Sequence, residues 1–550
     1  MTIEDCRRRI ADSRVTARKP IHPIKQSDEV LLTHISDKRR RVAASVDLTQ
    51  GPLFKRIIIY TLPIIATGLL QLLFNAADLV VVGNSTNDTA LPAVGATSSL
   101  VNLIVNLLIG LSVGAGVCAA RYYGARDDKS MHELVHTAIP TAAIGGLVFG
   151  IIGFVFAGTF LRWMDTPDDL IVQSTLYVRI YSVGIPFSIV YNFGAAILRS
   201  VGDTTRPLIF LVIAGVVNVL FNLAFVFLFH MDVDGVATAT AISQALSAVM
   251  VIVYMMRVKD SHRFQPRKMR FYKDKFVKIL VIGLPAGIQG SLFSVSNVII
   301  QKSINAFGST VISGNTAAVN IEGFVYTGMN AFHQTALNFT GQHLGAKKYA
   351  RIKKIILLCL LSVSVIGLVF GMSVYLLGAP LLNIYSPGKE EVIGYGLLRM
   401  KYICITYFLC GIMDVLSGLL RGMGYSVSSM IITLACVCGF RILWIYTVFA
   451  MPAYHSLTVL YISYPISWGL CCIVQGGLLL FAYIRMIKKS KRDALAETEP
   501  PREASTAEIA VEINADKQVK GQEYAQELTQ DRTGVQAQEH TQEPVGERQN

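Results

Sequence analysis

Asp78 is the one acidic residue within the apolar runs of the first half of this 550-residue chain. It closes the stretch Gln71-Leu-Leu-Phe-Asn75-Ala-Ala-Asp78, whose polar members are spaced four and three apart. That spacing stacks Gln71, Asn75 and Asp78 on one helical face. Farther along, Asn218 and Asn222 are again four apart, and Thr240 stands in the next apolar run. Asp78, Asn218, Asn222 and Thr240 offer only hard oxygen ligands. Such a set suits a small cation, Na⁺ at Asp78 included, or a carboxyl group whose proton is held by hydrogen bonds. The competing reading is polar glue between packed helices. An isolated aspartate in an apolar run is more than glue requires.

The second half has a different set, Glu322, Asp414 and Arg441. Pairing an acid with the arginine lowers the burial penalty of both, so a structural Arg–carboxylate pair is the plain expectation. Two acids against one base leave one carboxyl unpaired and free to titrate or to meet a substrate. Arg179 and Arg399 fall near the ends of their runs and are expected to snorkel. A membrane enzyme would need a nucleophile–base pair or a metal constellation. His136, His230, His333, His343 and His455 lie mostly near the ends of runs and are read as solvated or interfacial, so no enzyme and no cofactor is expected.

These groups need elements that can hold them in an apolar solvent. The chain is 52% hydrophobic and 16% charged, with a mean hydropathy of +0.48. Hydrocarbon about 30 Å thick takes about 20 helical residues to cross. Only helices or closed barrels satisfy their backbone there, and these runs are too long for barrel strands. Spans are predicted at 57–83, 93–119, 134–160, 172–198, 207–229 and 235–257, then at 279–304, 311–337, 352–378, 395–420, 427–450 and 457–484. The two sets are copies. Leu62-Pro63 answers Leu284-Pro285, Asn75 answers Asn297, Gly124-Ala125 answers Gly345-Ala346, and Arg199-Ser-Val-Gly202 answers Arg421-Gly-Met-Gly424, all about 222 residues apart. A duplicated six-span unit is the signature of a transporter with its binding site between two halves. Asp78 has no acidic counterpart, because the matching position is Ile300. Gly110, Gly114 and Gly116 permit close helix approach, and Pro186, Pro207 and Pro285 are candidate bends.

The net charge of +13 is placed like an orientation signal. Arg121, Arg126 and Lys129, the lysines and arginines of 257–278, Lys347 to Lys354, and Lys488 to Arg492 all fall in connections on one side. The opposite loops, Asn84–Asp88, Asp165–Asp169, Asp232–Asp234 and Lys389–Glu391, hold few cations. The positive-inside rule then puts both termini in the cytoplasm, in a multi-pass protein of the plasma (inner) membrane, and nucleic acid is not an expected partner. Residues 1–50 read as a disordered basic leader, 51–258 as the first half, 259–278 as a cytoplasmic linker and 279–487 as the second half. From 488 to 550 the composition turns to Glu, Gln, Thr and Ala and reads as a disordered tail. The leader lacks an apolar stretch followed by a cleavage site, so the first span is expected to direct insertion. Eight of the nine cysteines lie in or beside spans, without zinc-ligand spacing, and read as small apolar filler.

Several extended motifs resemble the multidrug and toxic compound extrusion (MATE) family in its prokaryotic branches, over about residues 51–487. They are Asn75-Ala-Ala-Asp78-Leu-Val-Val-Val-Gly83, Arg199-Ser-Val-Gly-Asp203-Thr-Thr-Arg-Pro207, Gly283-Leu-Pro-Ala-Gly-Ile-Gln289-Gly, Gly314-Asn-Thr-Ala-Ala-Val-Asn-Ile-Glu322-Gly and Leu420-Arg-Gly-Met-Gly424. The resemblance implies an all-α membrane protein of twelve transmembrane helices in two six-helix lobes. These form a V-shaped, inward- or outward-opening transporter around a central cavity. It implies a secondary antiporter, a monomer in the lipid bilayer, exporting amphipathic, often cationic drugs or xenobiotics in exchange for H⁺ or Na⁺. The family's first-lobe cation site matches Asp78, Asn218 and Thr240, with Asn222 where many relatives carry a second acid. An acid that one branch uses in span 7 is Gln289 here, and Asp414 matches that branch's acid in span 10. Gln289, Glu322, Asp414 and Arg441 are therefore candidates for a second coupling or substrate site. The alternative is a flippase of lipid-linked oligosaccharides or other lipids from the same superfamily, which would bring extra spans and a strongly cationic cavity. A channel would need a continuous polar path, and these spans supply islands.

Overall fold

The computed structural model describes residues 47–83 and 90–498. The leader up to residue 46, the loop Asn84–Asp88 and the tail from 499 lie outside the described residues. Met1–Ala482 is one compact unit; of the second, Tyr483–Asn550, only the end of the last helix falls within the described part. The described residues are helical, with no strand among them.

The first half runs α1 (Leu53–Gly83), α2 (Ala90–Ala125), α3 (Asp128–Trp163), α4 (Asp168–Ser200), α5 (Thr205–Leu223) and α6 (Val233–Arg257). The second runs α7 (Lys273–Asn305), α8 (Ser309–Gly345), α9 (Tyr349–Leu376), a short α10 (Gly378–Tyr385), α11 (Glu390–Ile403), α12 (Tyr407–Gly422), α13 (Ser426–Thr433), α14 (Phe440–Trp444) and α15 (Leu457–Thr498). π-Helical turns extend α5 over Ala224–Leu228 and α14 over Ile445–Phe449. These are matching places in the two halves, and a third π-helical stretch, Leu434–Gly439, joins α13 to α14. Periodicity does not reveal such turns. Ten described helices are long and apolar enough to cross a membrane, or eleven if α11 and α12, bent by 49°, form one span. The twelfth expected span, α8, is 37 residues long but does not join that count. Asn315, Glu322, Asn338, Gln342 and His343 all lie buried along it. These buried polar side chains lower its mean hydropathy, while Val319 and Phe324 on the same helix stay exposed.

The duplicated punctuation builds duplicated corners. Gly202 (φ +92°) and Gly424 (φ +93°) end α4 and α12 in the left-handed region. There the absent Cβ removes the steric penalty. Their N–H groups donate to the carbonyls of Arg199 at 3.0 Å and Arg421 at 2.9 Å. At the other repeated corner, Arg126 and Lys347 sit at φ 56° and 55° after α2 and α8. The two corners then clasp each other across the halves. Arg121 Nη2 on α2 donates to the Gly422 carbonyl at 2.9 Å, and Gln342 Nε2 on α8 donates to the Ser200 carbonyl at 2.6 Å.

The halves meet along α2 and α7, where the predicted glycine approach is realised. A Cβ on Gly110 would fall 2.1 Å from the Gly287 nitrogen, and one on Gly114 would fall 2.2 Å from the Ile279 carbonyl. Two large apolar cores lie mostly one in each half, around Ile139, Ile185, Phe193 and Leu198 in the first and Phe332, Phe339, Leu416 and Tyr461 in the second. α1 lends Ile57 and Tyr60 to the second core, and α7 lends Ile279 and Ile282 to the first. The α6–α7 connection is docked rather than loose. Gln265 N–H donates to His136 Nε2 at 3.0 Å and Tyr272 N–H to Thr137 Oγ1 at 3.2 Å. α7 begins at Lys273, inside the stretch that the sequence assigns to the linker.

Candidate functional site

α1, α5 and α6 bring Asp78, Asn218, Asn222 and Thr240 into one hydrogen-bonded chain. Asn222 Nδ2 donates to Asp78 Oδ1 at 2.5 Å and stands 3.4 Å from Asn218 Oδ1. Asn218 Nδ2 reaches Thr240 Oγ1 at 3.4 Å, and that hydroxyl donates to the Val236 carbonyl at 2.9 Å. The i,i+4 spacing on α5 turns both amides toward α1 and α6. Gln71, Asn75, Asp78, Asn218 and Thr240 line a cavity of about 160 Å³. Asn222 Oδ1 is buried with no hydrogen-bond partner among the described residues, an acceptor left unsatisfied. Asp78 takes part in no ion pair among the described residues. The cluster therefore offers one carboxylate and several neutral oxygens to a proton or a small cation.

The second half pairs its charges differently from the expectation. Arg399 does not snorkel. Its Nε and Nη2 donate to Glu322 Oε1 and Oε2 at 3.0 and 2.8 Å, a bidentate fork. Its Nη1 donates to Asn315 Oδ1 at 3.0 Å. Both partners are nearly fully buried, and a carboxylate within reach holds the guanidinium better than the interface would. Arg441, expected to pair with an acid, instead lies 4.0 Å over the Tyr464 ring and donates from Nε to Ser467 Oγ at 2.9 Å. A buried cation can be offset by ring faces as well as by a carboxylate. Arg179 is exposed, beside the Phe154 ring.

Gln289 and Asp414 separate from Glu322 and Arg441. They line a central cavity of about 240 Å³ built by both halves, with walls from α2, α4, α7, α8 and α12. Arg421 Nη2 donates to Gln289 Oε1 at 2.8 Å. Arg199 Nη1 donates to Gln334 Oε1 at 2.9 Å. Asp414 Oδ2 has no hydrogen-bond partner, and His333 Nδ1 donates to the Asp414 backbone carbonyl at 2.6 Å. The two cavity arginines are missed when ionisable residues are sought only at span centres. The available signal is the repeat itself, which puts an arginine before the terminal glycine of both corners.

The histidines contain one further pattern. His132-Glu133-Leu134-Val135-His136 has the His-Glu-x-x-His spacing of zinc peptidases, which the sequence reading passes over. In the fold the two rings stack at 3.9 Å. His136 spends both nitrogens, Nδ1 on the His132 carbonyl and Nε2 on the Gln265 N–H. Glu133 lies 3.3 Å from Lys275. The pattern ties α3 to the α6–α7 connection, and among the described residues no group of three or more His, Cys, Asp or Glu is placed to hold a metal.

Comparisons with known proteins agree with this architecture. The MatE family model matches residues 63–224 and again 285–447, once in each half. A probable multidrug resistance protein, YpnP of Bacillus subtilis, is 26% identical over 388 residues, covering 70% of this chain and 86% of that protein. The multidrug export protein MepA of Staphylococcus aureus (strain MSSA476) is 20% identical over 435 residues, covering 79% and 94%. Among solved structures, an outward-facing multidrug resistance MATE transporter of the MOP superfamily aligns with a TM-score of 0.75 at 20% identity, over 82% of this chain and 99% of that one. The family model spans more than half of the chain and falls on both copies of the repeat, so this protein belongs to the MATE family of membrane transporters.

Proposed function

We propose that the protein is a secondary antiporter that exports amphipathic small molecules in exchange for inward H⁺, with Asp78 as the coupling group. The observation that carries this reading is the Asp78 carboxyl, unpaired by any cation among the described residues and hydrogen-bonded to Asn222 beside a cavity. A carboxyl amid neutral partners can take and release one proton as access alternates. Na⁺ wants about six oxygens, preferably with more than one negative charge, by analogy with hard-cation coordination. Asn222 in place of a second acid weakens that option. The basic connections face the cytoplasm of the plasma membrane, and one chain is the working unit. Export as the direction, and drug-like molecules as cargo, follow the names of its relatives.

The test is efflux from inverted vesicles energised by a pH gradient without Na⁺, and then by a Na⁺ gradient without a pH difference. Transport in the first condition is expected. Transport only in the second overturns the proton assignment.

A further inference from the structure

The central cavity carries a charge imbalance that the coupling site does not explain. The charged side chains on its wall are Arg199 from the first half, and Arg421 and Asp414 from the second. Among the described residues neither arginine forms an ion pair. Their hydrogen bonds go to neutral oxygens: Arg199 Nη1 to Gln334, and Arg421 Nη2 to Gln289. The Nε of each is buried without a hydrogen-bond partner among the described residues. Arg421 is only 6% exposed. One carboxylate against two guanidinium groups leaves the wall with an excess of positive charge, and protonating Asp414 would only enlarge it. Glu322 cannot correct the balance, because Arg399 holds both of its oxygens. A desolvated guanidinium with free donors favours a planar anionic group. Ile109, Phe293 and Leu337 on the same wall offer contact to an apolar body.

We propose that this cavity binds amphipathic molecules carrying a carboxylate or sulfonate, as organic acids or zwitterions, with Arg421 and Arg199 holding the anionic group. A molecule that is only cationic meets the like charge of both arginines and finds Asp414 alone to balance it. The assignment rests on the exporter reading and names the chemistry of its cargo. A small acid is the favoured occupant over a lipid headgroup, because the cavity is small, about 240 Å³, and its walls come from five helices of the two halves.

Equilibrium binding to the full chain in phosphatidylcholine nanodiscs, with no gradient, tests the charge preference. The probes are 2-naphthoate and 2-naphthylmethylammonium, which share a ring system and differ in charge. Wild type is expected to bind the carboxylate about tenfold more tightly than the ammonium, the size of one charged hydrogen bond. Arg421→Gln should lose about that factor for 2-naphthoate and none for the ammonium, whereas Arg421→Lys keeps most of it. Arg199→Gln should show the same preference change and serves if Arg421→Gln fails to fold. Equal binding of both probes, or tighter ammonium binding that Asp414→Asn abolishes, would overturn the proposal. So would loss of 2-naphthoate binding when phosphatidylglycerol is added to the nanodisc, since the arginines would then be serving a lipid headgroup. Because no gradient is applied, a failed charge preference leaves the exporter reading standing. Failed vesicle transport likewise leaves the charge preference standing.

Discussion

The Asp78 cluster of the first half and the matching positions of the second share a fold but no chemistry. Asp78, Asn218, Asn222 and Thr240 correspond, about 222 residues on, to Ile300, Phe440, Trp444 and Ile462. On α5 two amides four apart relay hydrogen bonds to an acid. On α14 two aromatic rings four apart pack at 5.6 Å instead. The second half has moved its acids elsewhere and handled them otherwise. Glu322 is neutralised by a bidentate arginine, and Asp414 faces the shared cavity. An acid left without a cation in an apolar setting can change protonation, while an acid gripped by a guanidinium is fixed. Duplication supplied the scaffold, and divergence at four positions confined the unpaired carboxyl of this cluster to one half.

The sharpest way to break this comparison is to remove the carboxyl. Asp78→Asn should reduce gradient-driven efflux to background with the melting temperature of the purified protein almost unchanged. Retained transport would place coupling elsewhere. Ile300→Asp in that background should not restore efflux, because Phe440 and Trp444 offer no amide to the new acid. The next largest effect is on stability. Arg399→Gln strands Glu322 and should cost about 3–5 kcal/mol in reversible unfolding. The double replacement Glu322→Gln with Arg399→Met should recover most of that loss. If both variants are equally unstable, the ion pair is not the cause.

A smaller effect is expected at the seam between the halves. Gly114→Ala places a methyl against the α7 backbone and should lower stability by about 1–3 kcal/mol, as overpacking does. Gly95→Ala, with open space around its Cβ, is the control and should leave the melting temperature close to wild type. The smallest effect concerns the α6–α7 connection. Burial holds His262 below its ordinary value of 6.5, with Asp260 acting in the opposite sense. The unfolded state then takes up the proton more readily, so docking is fully stable above about 6.5 and weakens as pH falls below it. Hydrogen exchange of residues 258–272, corrected for intrinsic rates, should show protection declining over that fall. His262→Phe should flatten the dependence.

Much of this was legible in the sequence because membrane burial writes in large letters. Runs of about 20 apolar residues can only be helices in hydrocarbon, and the repeated Pro, Gly and Arg positions fixed the two halves before any contact was known. The four residues of the first-half cluster were also readable, since a lone acid with amides at helical spacing stands out against apolar neighbours. Pairing in the second half was not. Arg441 was the expected partner of the acids and Arg399 was expected to snorkel, because linear separation does not say which helix faces α8. The cavity arginines, the π-helical turns and the docked histidine pair depend likewise on how helices cross. Residue type and spacing determined the elements, their duplication and the chemistry each face can offer. Only packing in three dimensions decided which charge meets which, because ion pairs and cavities are set by distances of a few ångströms between segments far apart in the chain.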